Sequence, residues 1–446
     1  MSAERMLPLT DRAAHEVLFH RGALPVTVAA FLRDVASLAA RLPARGPAIN
    51  CCADRYNALV AFGAVLARGQ TTLLSADRIG HRLEALARDA GATYVITEDA
   101  AADCSLPVIM PAQDAASGNA AAPVPAAPAG HIAAIAFTSG STGAPAAHPK
   151  PWGALVSGAG AAAVRFGLRH QDGPAAFIVA TVPPQHMYGF ETTQILPLFS
   201  AAACHAGPAF YPSDVADALA AVSARRVLVT TPLHLRAQLA AEAPLPPIDM
   251  VISATAPLDA ALAGQVEQAW HTRVLEIYGA TEAGSIASRR TLDGAEWTPY
   301  PGVSFAIDED AAEVTVPGLP APVPLADLLR RAGEDRFRLL GRRADLVKRA
   351  GKRASLAGLN RILSEIEGVQ DGVFVAPDDL DRNPAARLAV YVVAPGRSAE
   401  EILAALRARV EPTFLPRPVV MLDALPRDAL GKLARGRLAP PRPSPA

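Results

Sequence analysis

The sequence predicts an α/β protein: a large N-terminal domain of layered, largely parallel sheets with helices, then a small, mobile α+β C-terminal domain. Three observations carry that prediction. Short apolar runs of strand length alternate with Ala/Leu-rich helical stretches over about 280 residues, as expected for parallel strands joined by crossover helices. The 446 residues exceed one ordinary hydrophobic core. Composition also changes near residue 341, where charge rises in GRRADLVKRAGKR.

The strand candidates, in order, are PAINCCA (47–53), TTLLSA (71–76), TYVITE (93–98), HIAAIAFTS (131–139), AAFIVATVP (175–183), RVLVTTP (226–232), DMVISAT (249–255) and RVLEIYGAT (273–281). Between them, DVADALAAVSA (214–224) and LDAALAGQVEQAW (258–270) read as helices. Residues 106–130, rich in Ala and Pro, read as a connecting segment. GAGAAA (158–163) reads as a close-packed helix. The domain assignment is 1–340, a hinge at 341–345, and 346–446. In the last part GVFVAPDD, RLAVYVVAP, SAEEILAALRARV and RPVVMLD form a small unit, and the tail 439–446 reads as disordered.

Apolar residues make up 51% of the chain and charged residues 19%, a balance that builds packed cores and excludes a disordered chain. A formal net charge of −1 without a basic stripe argues against a nucleic-acid surface. The four cysteines (Cys51, Cys52, Cys104 and Cys204) form no CxxC pair, which predicts a reducing, cytoplasmic setting. The start lacks the long apolar region of a secretory signal, and no run is long enough to span a bilayer. Ten histidines without HExxH spacing speak against zinc, and the lack of GxSxG speaks against an α/β-hydrolase.

FTSGSTGAPAAHPKPW (137–152) follows a predicted strand and is crowded with glycines and small hydroxyls. Such a turn wraps phosphate oxygens with backbone N–H groups, and glycine permits close approach. It is not a Walker loop, because GxxxxGK[ST] is absent. Read alone, it is a phosphate cradle or a flexible loop.

Five further segments follow, and with TSGSTGAP (138–145) they resemble, in order, the motifs of the adenylate-forming superfamily of acyl-CoA synthetases, aryl-acid ligases, luciferases and adenylation domains. PPQHMYGFE (183–191) is similar to its acid-pocket motif, SATAPL (253–258) to its adenine-contacting segment, and YGATEAG (278–284) to its YGxTE. GRRADLVKRAGKR (341–353) resembles the hinge, and LPRDALGKLARGRL (425–438) the terminal lysine motif. The resemblance implies ATP and Mg²⁺ as cofactors and a carboxylic acid as substrate, activated as acyl-AMP with release of pyrophosphate.

The resemblance implies these roles. Thr138, Ser139, Gly140, Ser141, Thr142 and Gly143 bind the β- and γ-phosphates. Ala254, Thr255, Ala256, Tyr278 and Gly279 contact the nucleotide. Thr281 lies near phosphate, and Glu282 holds Mg²⁺. Lys432 bridges the substrate carboxylate and the α-phosphate region, a role suited to a flexible ammonium. Asp327, fourteen positions before Gly341, holds the ribose with Arg342. Asp327 also reads as the N-cap of a helix over LLRRAG. His186, Met187, Tyr188, Gly189, Gly279 and Ala280 line the acid pocket, with His186 either walling a ring or serving as a structural histidine. After domain rotation Lys348, Gly351 and Lys352 approach the adenylate.

The sequence departs from the family pattern at two places. The loop lysine is replaced by Ala146. Lys150 stands in for it on phosphate, or is an exposed loop lysine. At the hinge, Ala344 takes the place of the usual Asp or Lys. The pocket motif lacks the aspartate that would hold an α-ammonium, so an α-amino acid is not expected. The compact chain resembles aryl-acid:carrier-protein ligases of aryl-polyene and xanthomonadin-type pathways, which implies a hydroxybenzoate-like acid. The basic run 342–353 attracts an acidic acyl carrier protein or the phosphates of CoA, or is a solvated face. Carrier phosphopantetheine is favoured over CoA. The alternatives are an aryl- or fatty acyl-CoA synthetase and, from another class, a catalytically silent nucleotide-binding or carrier-docking protein.

Overall fold

The computed structural model describes residues 5–75, 80–99, 104–111, 122–138, 146–308, 311–342, 345–349, 352–377, 386–427, 433 and 438. The chain divides into two compact units. One comprises Met1–Gly294, Thr298–Ser304 and Val314–Val323, and the other Ala295–Trp297, Phe305–Glu313 and Pro324–Ala446.

The first unit holds two large sheets among its described residues. Strands β1 (Val17–Arg21) and β2 (Leu24–Thr27) form a hairpin, followed by helix α1 (Val28–Arg41), which Thr27 caps by accepting from the Ala30 N–H. Next come β3 (Ala48–Asn50), helix α2 (Arg55–Ala67), β4 (Thr72–Leu74), β5 (Tyr94–Ile96), β6 (Val108–Ile109), β7 (Ile132–Thr138) and β8 (Ala146–Pro151). They build one sheet in the order β8-β7-β4-β3-β5-β6. All its pairings are parallel except β8–β7.

Helix α3 (Trp152–Phe166) leads to the second sheet, with β9 (Ala176–Ala180), β10 (Ala203–His205), β11 (Arg225–Thr230), β12 (Met250–Ser253), β13 (Val274–Ala280) and β14 (Gly284–Arg290). Within this unit the order is β14-β13-β12-β11-β9-β10-β1-β2. From β13 to β1 every neighbour is parallel, while β14 pairs antiparallel with β13 and, on its other side, with Glu296–Pro299. The apolar runs that read as strands are these strands, buried on both faces as parallel sheets require.

Helix α2 is buried nearly all round, from Arg55 to Leu66, as its almost continuous apolar sequence demands. Its Phe62 ring meets Trp152 of α3 at 5.9 Å and Phe190 at 5.3 Å, an aromatic cluster that locks both helices into one core. The GAGAAA stretch on α3 is not close-packed throughout, because a Cβ added at Gly158 or Gly160 would meet nothing within 4 Å. The stretch 106–130 also holds short strands, β6 and Ala126–Pro128, the latter paired with Met6–Pro8. Their brevity conceals them in an Ala/Pro-rich background.

In the second unit β15 (Asp327–Arg331) and β16 (Phe337–Arg342) pair antiparallel, as do β17 (Leu346–Arg349) and β18 (Lys352–Ser355). Ser355 caps helix α4 (Leu356–Ser364). β19 (Asp371–Val375), β20 (Ala389–Val393) and β21 (Val419–Met421) form a three-stranded sheet. Helix α5 (Ala399–Arg407) opens on a Ser398/Glu401 capping box. Leu359, Leu363, Phe374, Val390, Val392, Ile402 and Leu406 fill the core of this unit.

Candidate active site

In open parallel sheets, ligands collect outside the carboxyl ends of the strands. Here three motif-bearing segments, together with Thr230–Thr231, leave adjacent parallel strands at that end. Residues 183–191 follow β9, Thr230–Thr231 end β11, Ser253–Leu258 leave β12, and Tyr278–Gly284 turn from β13 into β14. Register aligns them, with Ala180 opposite Val229, Thr230 opposite Ser253, and Ser253 opposite Glu276.

The glycine-rich loop joins β7 to β8. Thr138 Oγ1 and His148 Nε2 lie 2.9 Å apart at its base. Ser139, Gly140, Ser141, Thr142 and Gly143 lie outside the described residues. Burial lowers the His148 pKa, opposed by Glu282, while Lys150 adds to the lowering.

Lys150 is 3% exposed, so it is not an exposed loop lysine. Its Nζ donates to the carbonyl of Thr281 and, at 2.9 Å, to that of Glu282. Burial lowers its pKa, and Glu191 and Glu282 work against the shift. The ammonium therefore ties the strand after the loop to the turn that carries Thr281 and Glu282. The Glu282 side chain is exposed.

The 183–191 segment is anchored at several points. Gln185 donates to the Cys52 carbonyl, and the buried Tyr188 hydroxyl donates to the Ile252 carbonyl at 2.8 Å. His186 stands just before the helical turn Met187–Phe190, half-buried. Gly189 packs on the chain before it, since a Cβ there would sit 2.1 Å from the Pro183 carbonyl oxygen. Gly189→Ala is therefore expected to cost about 3 kcal/mol of stability, at the upper end for overpacking, read as a fall in thermal midpoint.

Thr255 adopts φ +76°, costly for a β-branched residue. This strain lies in SATAPL, between Ala254 and Ala256. Glu276 braces the segment from β13: it accepts from the Leu258 N–H at 2.9 Å, Arg289 Nε at 2.7 Å and Thr291 Oγ1 at 2.7 Å. Tyr278 is buried, while Gly279 and Ala280 pair with Ser285 and Gly284 across the turn.

In the second unit Asp327 and Arg342 face each other across β15–β16, with Oδ1 and Nε 3.8 Å apart. Asp327 opens a strand and does not cap a helix. Leu328 and Leu329 are buried with cross-strand partners on β16, and that ladder takes the place of helical hydrogen bonds. Lys348 lies on β17, and Lys352 on β18 bonds Glu411 at 2.5 Å. Gly351, Ala344 and Lys432 fall outside the described residues.

No group of three or more His, Cys, Asp or Glu side chains able to hold a metal occurs among the described residues. A lone exposed carboxylate at Glu282 fits Mg²⁺ all the same. That ion is commonly held by one or two carboxylates together with substrate phosphates and water. No helix among the described residues is long and apolar enough to cross a membrane.

Sequence reading passed over Glu191, Ser285 and Arg55. The signal for Glu191 was a lone charge inside the uncharged stretch YGFETTQILPLF; that for Arg55, a guanidinium at the head of an apolar helix.

Residues 13–324 match the family described as AMP-binding enzyme. A 4-coumarate–CoA ligase of Rhodobacter capsulatus is 32% identical over 278 residues, covering 62% of this chain and 67% of the relative. Among solved structures, AMP-bound MenE of Bacillus subtilis, an O-succinylbenzoate coenzyme A synthetase, superposes with TM-score 0.81 at 18% identity over 98% of this chain and 99% of its own. ATP-bound MatB of Rhodopseudomonas palustris superposes with TM-score 0.80 at 20% identity over 96% of both. At these identities the structural likeness speaks for the fold.

Proposed function

The chain belongs to the AMP-binding enzyme family and is an AMP-forming acid–thiol ligase, and from that premise we propose that it activates an aryl acid of the hydroxybenzoate kind with ATP and passes it to the phosphopantetheine of an acyl carrier protein. The observation that carries the reading is the convergence of residues 183–191, 253–258 and 278–284 at the carboxyl ends of parallel strands within one sheet.

The chemistry has two balanced steps. A carboxylate oxygen attacks the α-phosphorus of ATP, the bond to the β-phosphate oxygen breaks, and pyrophosphate leaves. A thiolate then attacks the acyl carbon. The C–S bond forms, the C–O bond to AMP breaks, and the thiol proton passes to solvent. The first step brings anions together, so catalysis rests on positioning and charge neutralisation. Residues 138–143 receive the phosphates, Glu282 receives Mg²⁺, which supplies charge neutralisation when bound, and Thr281 sits beside phosphate. Asp327 and Arg342 take the ribose, Ala254–Ala256 and Tyr278 the base. Lys432 meets the carboxylate. His186 to Gly189, with Gly279 and Ala280, hold the acid.

The acceptor has a second reading. Curated relatives bear the names 4-coumarate–CoA ligase and 4-chlorobenzoate–CoA ligase, which favours CoA as the thiol. The test is acid-dependent exchange of labelled pyrophosphate into ATP over a panel of aryl and alkyl acids, followed by trapping with CoA or with holo carrier protein. Exchange stimulated by hydroxybenzoates and thioester on the carrier is the expected result. Exchange with fatty acids alone selects the acyl-CoA synthetase reading, and no exchange with any aryl acid overturns the aryl-acid reading.

A further inference from the structure

A small cavity of about 20 Å³ lies inside the first unit, between α3, the 191–196 stretch and strands β13 and β14. Its polar wall is made by Glu191, Ser285 and Tyr300, and its apolar wall includes Ala159, Ile195 and Ile277. Gly158 also lines it, which explains why that glycine has open space before it. Glu191 begins a π-helical turn, Glu191–Ile195, a rare local geometry found often at functional sites.

The polar wall is built with care. The half-buried Glu191 carboxylate accepts from the Ser285 N–H at 3.1 Å and from Ser285 Oγ at 2.5 Å. Gly284 has φ +81°, and a Cβ there would meet Glu191 Oε1 at 2.4 Å, so the turn admits the carboxylate only because residue 284 is glycine. Tyr300 is 2% exposed, and its hydroxyl has no hydrogen-bond partner among the described residues. A buried hydroxyl without a partner is uncommon, and a ligand group is one explanation for it.

Resting on the reading above, we propose that this cavity is the far end of the acid pocket and recognises a neutral hydroxyl carried by the substrate. That hydroxyl donates to Glu191 and accepts from Tyr300. The volume sets the size of the group: it takes one water-sized substituent and no more. The charges set its kind. Lys150 acts on Glu191 electrostatically, but its Nζ donates to two backbone carbonyls, and Arg165 bonds Ser288. A charged substituent would be buried in a small, largely apolar space that already pushes the Glu191 pKa upward by burial, and a carboxylate there would also face Glu191. A neutral donor–acceptor meets neither penalty. The cavity borders the turn holding Thr281 and Glu282, since Ser285 follows that turn directly.

Pyrophosphate exchange with benzoate, 3- and 4-hydroxybenzoate and the matching methoxybenzoates tests this. Wild type is expected to favour one hydroxybenzoate over benzoate by at least about 10²-fold in kcat/KM, because a site built to bond a hydroxyl strongly rejects the analogue lacking it. The methoxy acid is expected to be the poorest. Tyr300→Phe should cut the hydroxyl preference about tenfold, as should Glu191→Gln, whereas a merely structural role would lower all acids alike and leave the ratio fixed. A fixed ratio, or wild type that prefers benzoate or alkyl acids, overturns the inference while leaving acid activation standing. Calorimetric binding of the hydroxybenzoates without nucleotide separates the remaining cases. No exchange with tenfold weaker binding to Tyr300→Phe sinks the activity and keeps the hydroxyl site; neither exchange nor binding sinks both.

Discussion

Lys150→Met is expected to lower kcat for acid-dependent pyrophosphate exchange by about 10²-fold, the size of effect that a misplacement of about 1 Å produces in a positioned site. Lys150 sits on β8, just after the glycine-rich loop, and its Nζ holds the carbonyls of Thr281 and Glu282. Methionine keeps the length of the stem and removes the donors. Two carbonyls then lose their partner at about 1–3 kcal/mol each if they stay buried, and the turn relaxes to find other donors. The side chains at 281 and 282 move with it. A lysine that touched phosphate directly would show a different signature, a raised KM for ATP with kcat largely kept. The measurement is therefore the split between kcat and KM(ATP). Hydrogen exchange over 278–285 in the same variant gives an independent reading of the loosened turn. Arginine at 150 is a poor rescue, because its planar fork cannot address two carbonyls from the point where an ammonium does.

This lysine shows where sequence reading stops. The fold was legible because buried parallel strands are written as apolar runs, and each run became a strand. The order of motifs gave the family for the same reason: six short patterns in sequence constrain more than any one. Strand β8, AAHPKP, was not legible. It carries two prolines, which only an edge strand tolerates, and nothing local says that an edge is available. That Lys150 in that strand is buried rather than solvated could not be read there, because its partners are backbone carbonyls 131 and 132 positions away. A backbone carbonyl leaves no mark on a sequence. Asp327 failed for a related reason. Asp before LLRRAG has the local pattern of a capped helix, and only the partner strand β16 decides otherwise. Glu191 belongs with them: its meaning depends on Gly284, Ser285 and Tyr300, which no spacing rule connects to it.

Arg55→Ala is expected to remove about 4–6 kcal/mol of stability, enough to leave little soluble protein, since folded domains commonly hold only about 5–15 kcal/mol in reserve. Arg55 is 1% exposed at the first turn of α2. Its guanidinium donates to the carbonyls of Gly207, Ala180 (2.5 Å) and Val182 (2.9 Å). Burial lowers its pKa, and Asp54 and Cys204 oppose the shift. Three carbonyls left without their donor, at about 1–3 kcal/mol apiece, account for the loss. Arg55→Lys tests whether charge or shape matters: an ammonium supplies the charge at one point and cannot span three acceptors, so most of the loss should persist. The consequence reaches the site, because Ala180 and Val182 frame the exit of β9 toward Gln185 and His186. Any soluble fraction of Arg55→Lys should show a raised KM for the acid with KM for ATP little changed. Denaturant unfolding of the two variants against wild type checks the first claim, and a variant as stable as wild type would show that the three carbonyls find other donors.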